Sequence, residues 1–411
     1  MMTLGLVGMP NPSLAAMVDS IKAKITRESL HLRFTEAAVE FMKKCISFAL
    51  QQKFKAASRI NARLLRHFKR IHIVDSTSWD INPLLEDILP GSGGGASSAN
   101  CKVQLFYEYL HGVFSFFEIV PGTRPDSRYS ANLPERIHRG ELLIADLGYF
   151  CIKTFSRICQ RGAFFLSRFY VGTTLFDQRT RAVINLRALL KRVKDDAYEL
   201  SVLMGPMNQN QVACRLICLR VSEEVANERR RKLLKTSRKK QRTPSQQHLF
   251  MAGWILMVTN VPQEWLPAGM VRPFYSLRWQ IELLFKQLKS TIKIHNTNTA
   301  KEPRLRCELL GRLLVAILIQ NVHAHVNTRM WNTKHQEISF EKLYKRVQER
   351  AFIILEALLK SVKAAAEYIE EEVRRLLKNC KKLRQKSRLS TLEFLEYGRN
   401  QRVRKWGYAN N

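Results

Sequence analysis

Acidic residues are scarce in this sequence of 411 residues. Only 35 Asp and Glu oppose 68 Lys and Arg, which leaves a formal net charge of +33. A small domain needs a net charge of only about 2–8 to stay soluble. The surplus therefore argues against a general metabolic enzyme and favours a polyanionic partner, most often nucleic acid.

Paired cysteines and long apolar runs are also missing. The eight cysteines form no CxxC pair and no Cys/His cluster with zinc-finger spacing. The most apolar stretch, residues 313–319, is far shorter than the roughly 20 residues of a membrane span, so we interpret it as a core helix. Residues 1–12 lack the basic start and apolar run of a signal peptide. We therefore expect a cytoplasmic protein with reduced thiols and no membrane contact.

Changes in hydrophobic periodicity divide the chain into five predicted segments. Strand-like runs mixed with a helical run in the second segment predict a mixed α/β sheet, and the first and last segments are predicted to be helical. The segments are 1–68, a helical N-terminal region and candidate for binding DNA ends; 69–171, the first part of the α/β core; 172–250, a β-rich insertion with a basic run; 251–325, the second part of the core; and 326–411, a helical, basic C-terminal region and candidate for dimerisation.

The predicted helix over residues 274–289 carries two stripes when each residue is turned by roughly 100°. The first is apolar and is expected to face a core, while the second sets one acid among three cations and a phenol. On spacing alone, i,i+4 salt bridges along the helix are an alternative explanation of the second stripe. The first stripe is Phe274, Leu277, Ile281, Leu284, Phe285 and Leu288, and the second is Tyr275, Arg278, Glu282, Lys286 and Lys289.

Two aspartates stand where predicted strands end. Asp75 closes the strand 71–75 and Asp146 follows the apolar run 142–145, so both are expected at the rim of the sheet. With Glu282 they supply the hard oxygen ligands that Mg²⁺ prefers. Two such ions, about 3.5–4 Å apart, can activate a water or a 3′-hydroxyl and stabilise the leaving oxygen in phosphodiester displacement. The three cations of the second stripe, together with Tyr275, would then contact phosphate oxygens of DNA.

These residues resemble the motifs of a known family, the DDE transposases of insertion-sequence family four. Asp75 in Val-Asp-Ser-Thr resembles the first catalytic aspartate of that family, and Asp146 in Ala-Asp-Leu-Gly-Tyr-Phe resembles the second. Glu282 resembles the third acid. The four-residue Y-R-E-K signature of the family is matched by Tyr275-x2-Arg278-x3-Glu282-x6-Lys289.

The resemblance implies an RNase H-like catalytic core interrupted by a β-rich insertion between the second aspartate and the glutamate. It implies cleavage at the inverted-repeat ends of a mobile element, typically through DNA hairpins, and joining of the 3′ ends to target DNA. Two Mg²⁺ ions, for which Mn²⁺ can substitute, would be held by Asp75, Asp146 and Glu282. The family works as a homodimer, and the protein would associate with the nucleoid when bound to DNA.

Further residues are candidates for DNA contact. Trp254 has the position from which, in this family, a tryptophan stacks on a base flipped out of the duplex; its alternative is a core tryptophan. The run 229–242 holds nine basic residues in fourteen and is predicted to meet phosphate, beginning with four consecutive candidates. These four are Arg229, Arg230, Arg231 and Lys232.

Two other functions stay open at this point. The chain could be a non-catalytic DNA-binding protein derived from a transposase, or an RNase H-like nuclease without strand transfer. The first differs from the transposase in lacking metal-dependent cleavage, and the second differs only in the fate of the 3′-hydroxyl.

Overall fold

The computed structural model describes residues 13–21, 24–51, 65–94, 96–207, 211–239, 241–297, 299–334 and 336–382. The basic residues of the first predicted segment between 53 and 63 lie outside the described residues. So do Lys240 of the basic run and the end of the last predicted segment, 383–411.

The described elements alternate between helix and strand in the middle of the chain and are helical at both ends. The strands are β1 (Ile71–Asp80), β2 (Asn100–Glu108), β3 (Val113–Pro121), β4 (Leu142–Ala145), β5 (Phe164–Arg168), β6 (Leu175–Asp177), β7 (Ala197–Met204), β8 (Val212–Arg220) and β9 (Trp254–Thr259). The helices are α1 (Leu14–Ile21), α2 (Arg27–Leu32), α3 (Glu36–Gln51), α4 (Asp126–Tyr129), α5 (Ile152–Gln160), α6 (Leu186–Arg192), α7 (Glu223–Lys239), α8 (Gln246–Met251), α9 (Ala268–Tyr275), α10 (Trp279–Ser290), α11 (Glu302–Lys334), α12 (Phe340–Lys360) and α13 (Val362–Asn379).

The strands form a mixed nine-stranded sheet in the order β3-β2-β1-β4-β5-β9-β8-β7-β6. Strand β1 pairs parallel with β4, and β4 pairs parallel with β5. The hairpin β2–β3 and all pairs from β5 outward to β6 are antiparallel. The part β3-β2-β1-β4-β5 has the order of an RNase H-like core, so the predicted fold class is confirmed, with helical regions at both ends.

The predicted insertion, residues 172–250, extends this sheet. Its strands β6, β7 and β8 continue outward from β9, which itself follows the insertion. The segment also contains the helices α6, α7 and α8. The sequence predicts a β-rich insertion, and the described residues of this segment form three strands and three helices.

The chain forms two compact units. The first holds the described residues within 1–61, 75–124 and 280–392, and the second those within 62–74 and 125–279. Strand β1 runs through both, since its residues 71–74 belong to the second unit and its remaining residues to the first. The five predicted segments divide the chain more finely, and their boundary at 325/326 falls inside α11.

The first unit is built around α11. Helix α3 packs along it and α11 also packs against β3, while α12 packs on α13. Helix α3 begins after Thr35, whose hydroxyl accepts a hydrogen bond from the Ala38 N–H at 3.3 Å. By length and composition α11 could span a membrane, but 78% of its most apolar window is buried within the protein. That burial fits the core-helix interpretation of residues 313–319.

The second unit is built around β4 and β5. All four residues of β4 are buried, as expected for a parallel strand covered on both faces. Helix α5 packs against β5 and β8, and Phe155 of α5 stacks on Phe165 of β5 with ring centres 4.3 Å apart. This core supports the carboxyl end of β4, which is followed directly by Asp146.

A buried acid joins β1 to β4 at the opposite end of these strands. The Glu141 carboxylate lies 3.1 Å from the His72 Nε2 and accepts the His138 N–H at 2.9 Å. Burial raises the pKa of Glu141, but the hydrogen bonds from His72 and His138 and the charges of His72 and Arg70 outweigh it. The pKa therefore lies below its ordinary value of about 4.5.

We expect Glu141→Gln to lower the free energy of unfolding at pH 7 by about 1–3 kcal/mol. Because the folded-state pKa is depressed, the contribution of the ionised carboxylate is complete above pH 4.5 and is lost as the pH falls through the lower, folded value. Urea denaturation at several pH values between 3 and 7 measures both effects. Glu135→Gln, an exposed acid of the same unit, is the control and should change stability by under about 0.5 kcal/mol. Equal effects of the two substitutions would contradict the prediction.

Candidate active site

Asp75 lies in the middle of β1 and not at a strand end, which corrects the sequence prediction. Strand β1 continues for five residues beyond it, to Asp80. The sequence predicts a strand that ends at Asp75, whereas β1 continues and has β2 as its other neighbour in the sheet. Val74 is the last residue of β1 in register with β4, opposite Ala145. Asp75 is half-buried and accepts the Ser76 N–H at 2.9 Å.

Asp146 follows the end of β4, as predicted, and is held by the first residue of the signature. The Tyr275 hydroxyl donates to the Asp146 Oδ1 at 3.1 Å. Burial and the negative charge of Asp146 raise the pKa of Tyr275 well above its ordinary value of 10. The phenol therefore stays protonated and remains a hydrogen-bond donor at any physiological pH.

The signature does not lie on one continuous helix, which is a second correction. Helix α9 ends at Tyr275, a 3₁₀ turn covers Ser276–Arg278, and α10 begins at Trp279. The Ser276 hydroxyl donates to the Pro273 carbonyl at 2.5 Å, a local bond that competes with regular helix geometry. A constant turn of 100° per residue is therefore not valid between Tyr275 and Glu282.

The apolar stripe is nevertheless confirmed, since each of its six residues is buried. The members are Phe274, Leu277, Ile281, Leu284, Phe285 and Leu288. On the second stripe, Glu282 is half-buried and Lys286 is exposed. The 3₁₀ turn between the two helices is only three residues long. It therefore does not rotate the apolar positions away from the core.

Lys289 connects α10 to β1 within the first unit. Its ammonium donates to the Ser78 carbonyl at 2.9 Å, three residues beyond Asp75. Burial lowers the pKa of Lys289 from its ordinary value of 10.5. The carbonyl fixes the position of the ammonium without neutralising its charge.

Two arginines near Tyr275 were not among the predicted site residues. Arg168 ends β5, and its charge, like that of Arg278, lowers the pKa of Tyr275 against the larger raising effects. Arg272 lies on α9, and burial together with the charges of Arg168 and Arg272 lowers the pKa of Arg229. Positive charge therefore gathers on the side of the second unit that holds Asp146. Only the exposed, polar end of β5 could have indicated Arg168 in the sequence.

Trp254 is buried in the second unit, with 6% of its surface exposed. It pairs in register with Arg220 of β8, and the Arg220 guanidinium lies 4.5 Å from the centre of its ring. Trp279, the residue after Arg278, is 58% exposed and was not predicted as a site residue. Its only signal in the sequence is a large aromatic residue outside the apolar stripe.

The four predicted basic residues of α7 divide into two pairs. Arg229 donates to the Trp254 carbonyl at 3.5 Å, and Arg230 donates to the Leu249 carbonyl at 3.3 Å. Arg231 and Lys232 are exposed. The first pair therefore attaches α7 to its own unit, while the second faces solvent.

The three predicted acids belong to different units, with Asp75 and Glu282 in the first and Asp146 in the second. Over the described ranges, no group of three or more His, Cys, Asp or Glu residues has an arrangement that could hold a metal ion. All three acids provide carboxylate oxygens, which are the donors that Mg²⁺ prefers. The chemistry of the donor set therefore fits the predicted ion.

Comparison with known proteins supports the family that the sequence motifs indicate. A family model described as a transposase DDE domain matches residues 66–318. The chain belongs to this family of DDE transposases.

Two relatives match most of the chain. A transposase for insertion sequence element IS231F, from Bacillus thuringiensis subsp. israelensis, is 31% identical over 351 residues, which cover 81% of this chain and 73% of that one. A transposase for IS1151 from Clostridium perfringens is 29% identical over 353 residues, covering 82% and 74%. A piggyBac transposase synaptic complex with hairpin DNA is similar with a TM-score of 0.39 and 10% identity, over 82% of this chain and 61% of that chain. A structural similarity this low carries no inference.

We expect Tyr275→Phe to destabilise the protein by about 1.5–3 kcal/mol, because the substitution removes a hydrogen bond to a charged group. Chemical denaturation measures the loss. Tyr198→Phe is the matched control: Tyr198 is a half-buried tyrosine on β7 of the same unit, and its change should stay under about 0.5 kcal/mol. A Tyr275→Phe protein as stable as this control would mean that the bond contributes nothing.

Proposed function

We propose that the protein is the transposase of an insertion sequence, which cleaves DNA at the inverted-repeat ends of the element and joins the 3′ ends to target DNA. The observation that carries this proposal is the hydrogen bond from Tyr275 to Asp146. It connects the first residue of the signature to the second aspartate, two motifs that are 129 residues apart in the chain. Membership of the DDE transposase family supports the same activity.

In this proposal Asp75, Asp146 and Glu282 are the catalytic acids and hold the divalent ions. Two Mg²⁺ ions, or Mn²⁺ in their place, would supply Lewis-acid stabilisation of the attacking and leaving oxygens. Two observations within the units support the choice of aspartates. Val74 and Ala145 are paired in the sheet, and each is followed directly by one of the two aspartates. Ser76 and Tyr275 orient the two carboxylates by hydrogen bonds.

The cations of the signature are assigned to the phosphate. Lys289 is fixed by the uncharged Ser78 carbonyl, so it can hold a non-bridging oxygen and oppose charge that develops in the transition state. Lys286 is exposed and Arg278 is half-buried, and both are assigned to the DNA backbone. Tyr275, predicted as a phosphate contact, is assigned instead to positioning Asp146, because its hydroxyl donates to that carboxylate.

We assign to Trp254 the stacking of a flipped base during cleavage through hairpins, as in the family. Aromatic stacking offsets the cost of removing a base from the duplex. Because the Arg220 guanidinium covers the ring, this role requires Arg220 to move aside when DNA binds. The buried position of Trp254 fits its alternative role as a core residue.

DNA is the partner that the family and the net charge of +33 support. A homodimer on DNA, a location in the cytoplasm and association with the nucleoid complete the proposal. Two alternatives stand beside it. These are a non-catalytic DNA-binding protein derived from a transposase and an RNase H-like nuclease without strand transfer.

Asp146→Asn should keep binding to element-end DNA and lose cleavage by at least about 10²-fold. The amide keeps the size of the side chain and can still accept from Tyr275, but several kcal/mol of metal-dependent stabilisation are lost, at about 1.4 kcal/mol per tenfold in rate. Gel electrophoresis of labelled end duplexes measures both properties. Asp195→Asn, an exposed aspartate of the same unit, is the control and should cleave normally. Retained cleavage by Asp146→Asn would remove Asp146 from the site.

Chelation with EDTA should stop cleavage without releasing the end duplex, and Mg²⁺ or Mn²⁺ should restore it. With target DNA present, restored reactions should yield end–target joined products, measured by sequencing of the junctions. Binding without cleavage in either metal would support the non-catalytic alternative. Cleavage without joined products would support the nuclease.

A further inference from the structure

Helix α7 has an inward and an outward face. Rotation by about 100° per residue places one group of side chains within an arc of about 100° that faces the rest of the second unit. Each of these residues is buried or half-buried. They are Ala226, Arg229, Arg230, Leu233 and Ser237. The hydrogen bonds from Arg229 and Arg230 to the carbonyls of Trp254 and Leu249 fix this orientation of the helix.

The outward face carries five cations in an arc of about 120°. All five are exposed, and no acidic residue follows Glu228 within the helix. The residues are Arg231, Lys232, Lys235, Arg238 and Lys239. Of these, Lys232 has an acidic partner on the same helix, Glu228 at 2.6 Å.

Helix stability alone does not account for this arrangement. Cations favour the last turn of a helix through its dipole, but that effect falls off beyond one turn. Arg231 and Lys235, and Lys235 and Lys239, are like charges at i,i+4, which repel each other. A partner with dense negative charge would remove the repulsion.

We propose that the outward face of α7 binds the phosphate backbone of double-stranded DNA without reading its sequence. The proposal rests on the proposed function and narrows the contact predicted for the basic run 229–242 to the five outward cations of α7. It assigns Arg229 and Arg230 to holding the helix in place instead of contacting DNA.

Dimensions and charge agree with a duplex. From Arg231 to Lys239 the helix rises by about 12 Å, at 1.5 Å per residue. Duplex DNA carries one negative charge per about 1.7 Å of its axis, so the same length offers about seven phosphates to five cations. A membrane surface fits poorly, because Leu233 and Leu234 are the only large apolar residues between Arg231 and Lys239 and they lie outside the cationic arc. The backbone could belong to the element end or to the target.

The test is the salt dependence of DNA binding by the double variant Lys235→Gln/Arg238→Gln in the full-length protein. Glutamine has nearly the same helix propensity as lysine and arginine, so the fold should be kept, which the thermal unfolding midpoint checks. Each lost phosphate contact should make the slope of log K against log salt less negative by about 0.9, or about 1.8 in total. Lys191→Gln/Arg192→Gln on α6, an exposed Lys-Arg pair of the same unit, is the control and should keep the wild-type slope.

Two binding measurements with different DNA show whether the contacted phosphate backbone belongs to the element end or to the target. One uses an element-end duplex, and the other measures capture of unrelated target duplex by the preformed end complex. A reduced slope in either arm supports the proposal and names the DNA that α7 contacts. Wild-type slopes in both arms, or an equal change in the α6 control, would overturn it. If the wild-type protein does not bind an end duplex at all, the proposed function fails instead.

Discussion

The hydrogen bond from Tyr275 to Asp146 fixes the orientation of the predicted acid of the second unit. The role assigned to that acid depends on this contact. Asp146 stands on a short, fully buried strand, and Tyr275 ends a helix whose neighbouring side chains are buried. The donor is a neutral phenol whose raised pKa keeps it protonated. A neutral donor orients the carboxylate and leaves its negative charge available to a cation, which a lysine or arginine in the same place would not do.

Backbone carbonyls have the corresponding role for the positive charges. Lys289 is held by the Ser78 carbonyl, Arg229 by that of Trp254 and Arg230 by that of Leu249. A carbonyl fixes the geometry of a cation but carries no formal charge, so these contacts position Lys289 and Arg229 without neutralising them, whereas Arg230 also pairs with Glu223. Burial and mutual repulsion lower the pKa of Arg229, which is the electrostatic cost of crowding these groups.

Most of the fold could be predicted from periodicity, because the apolar run of β4 and the apolar stripe over residues 274–288 indicate burial directly. Features set by neighbouring elements could not. Asp75 lies inside its strand because β2 lies beside β1, and the signature helix is broken by the local bond of Ser276. Phe41 and Phe48 of α3 are apolar yet 64% exposed, since the packing partner α11 contacts a different face of the helix. The placement of the three acids as one site is still a prediction from the motifs.

The ends of the sheet have a consequence for how the protein behaves at high concentration. Strand β3, at one end of the order, packs against α11. Strand β6, at the other end, has only three residues, and Phe176 on it forms a bridge to Val183. Exposed strand edges are templates for intermolecular β-pairing and aggregation. One edge strand packs against a helix, and the other is short and already bridged. We therefore expect little edge-to-edge pairing between molecules and little fibril-like growth.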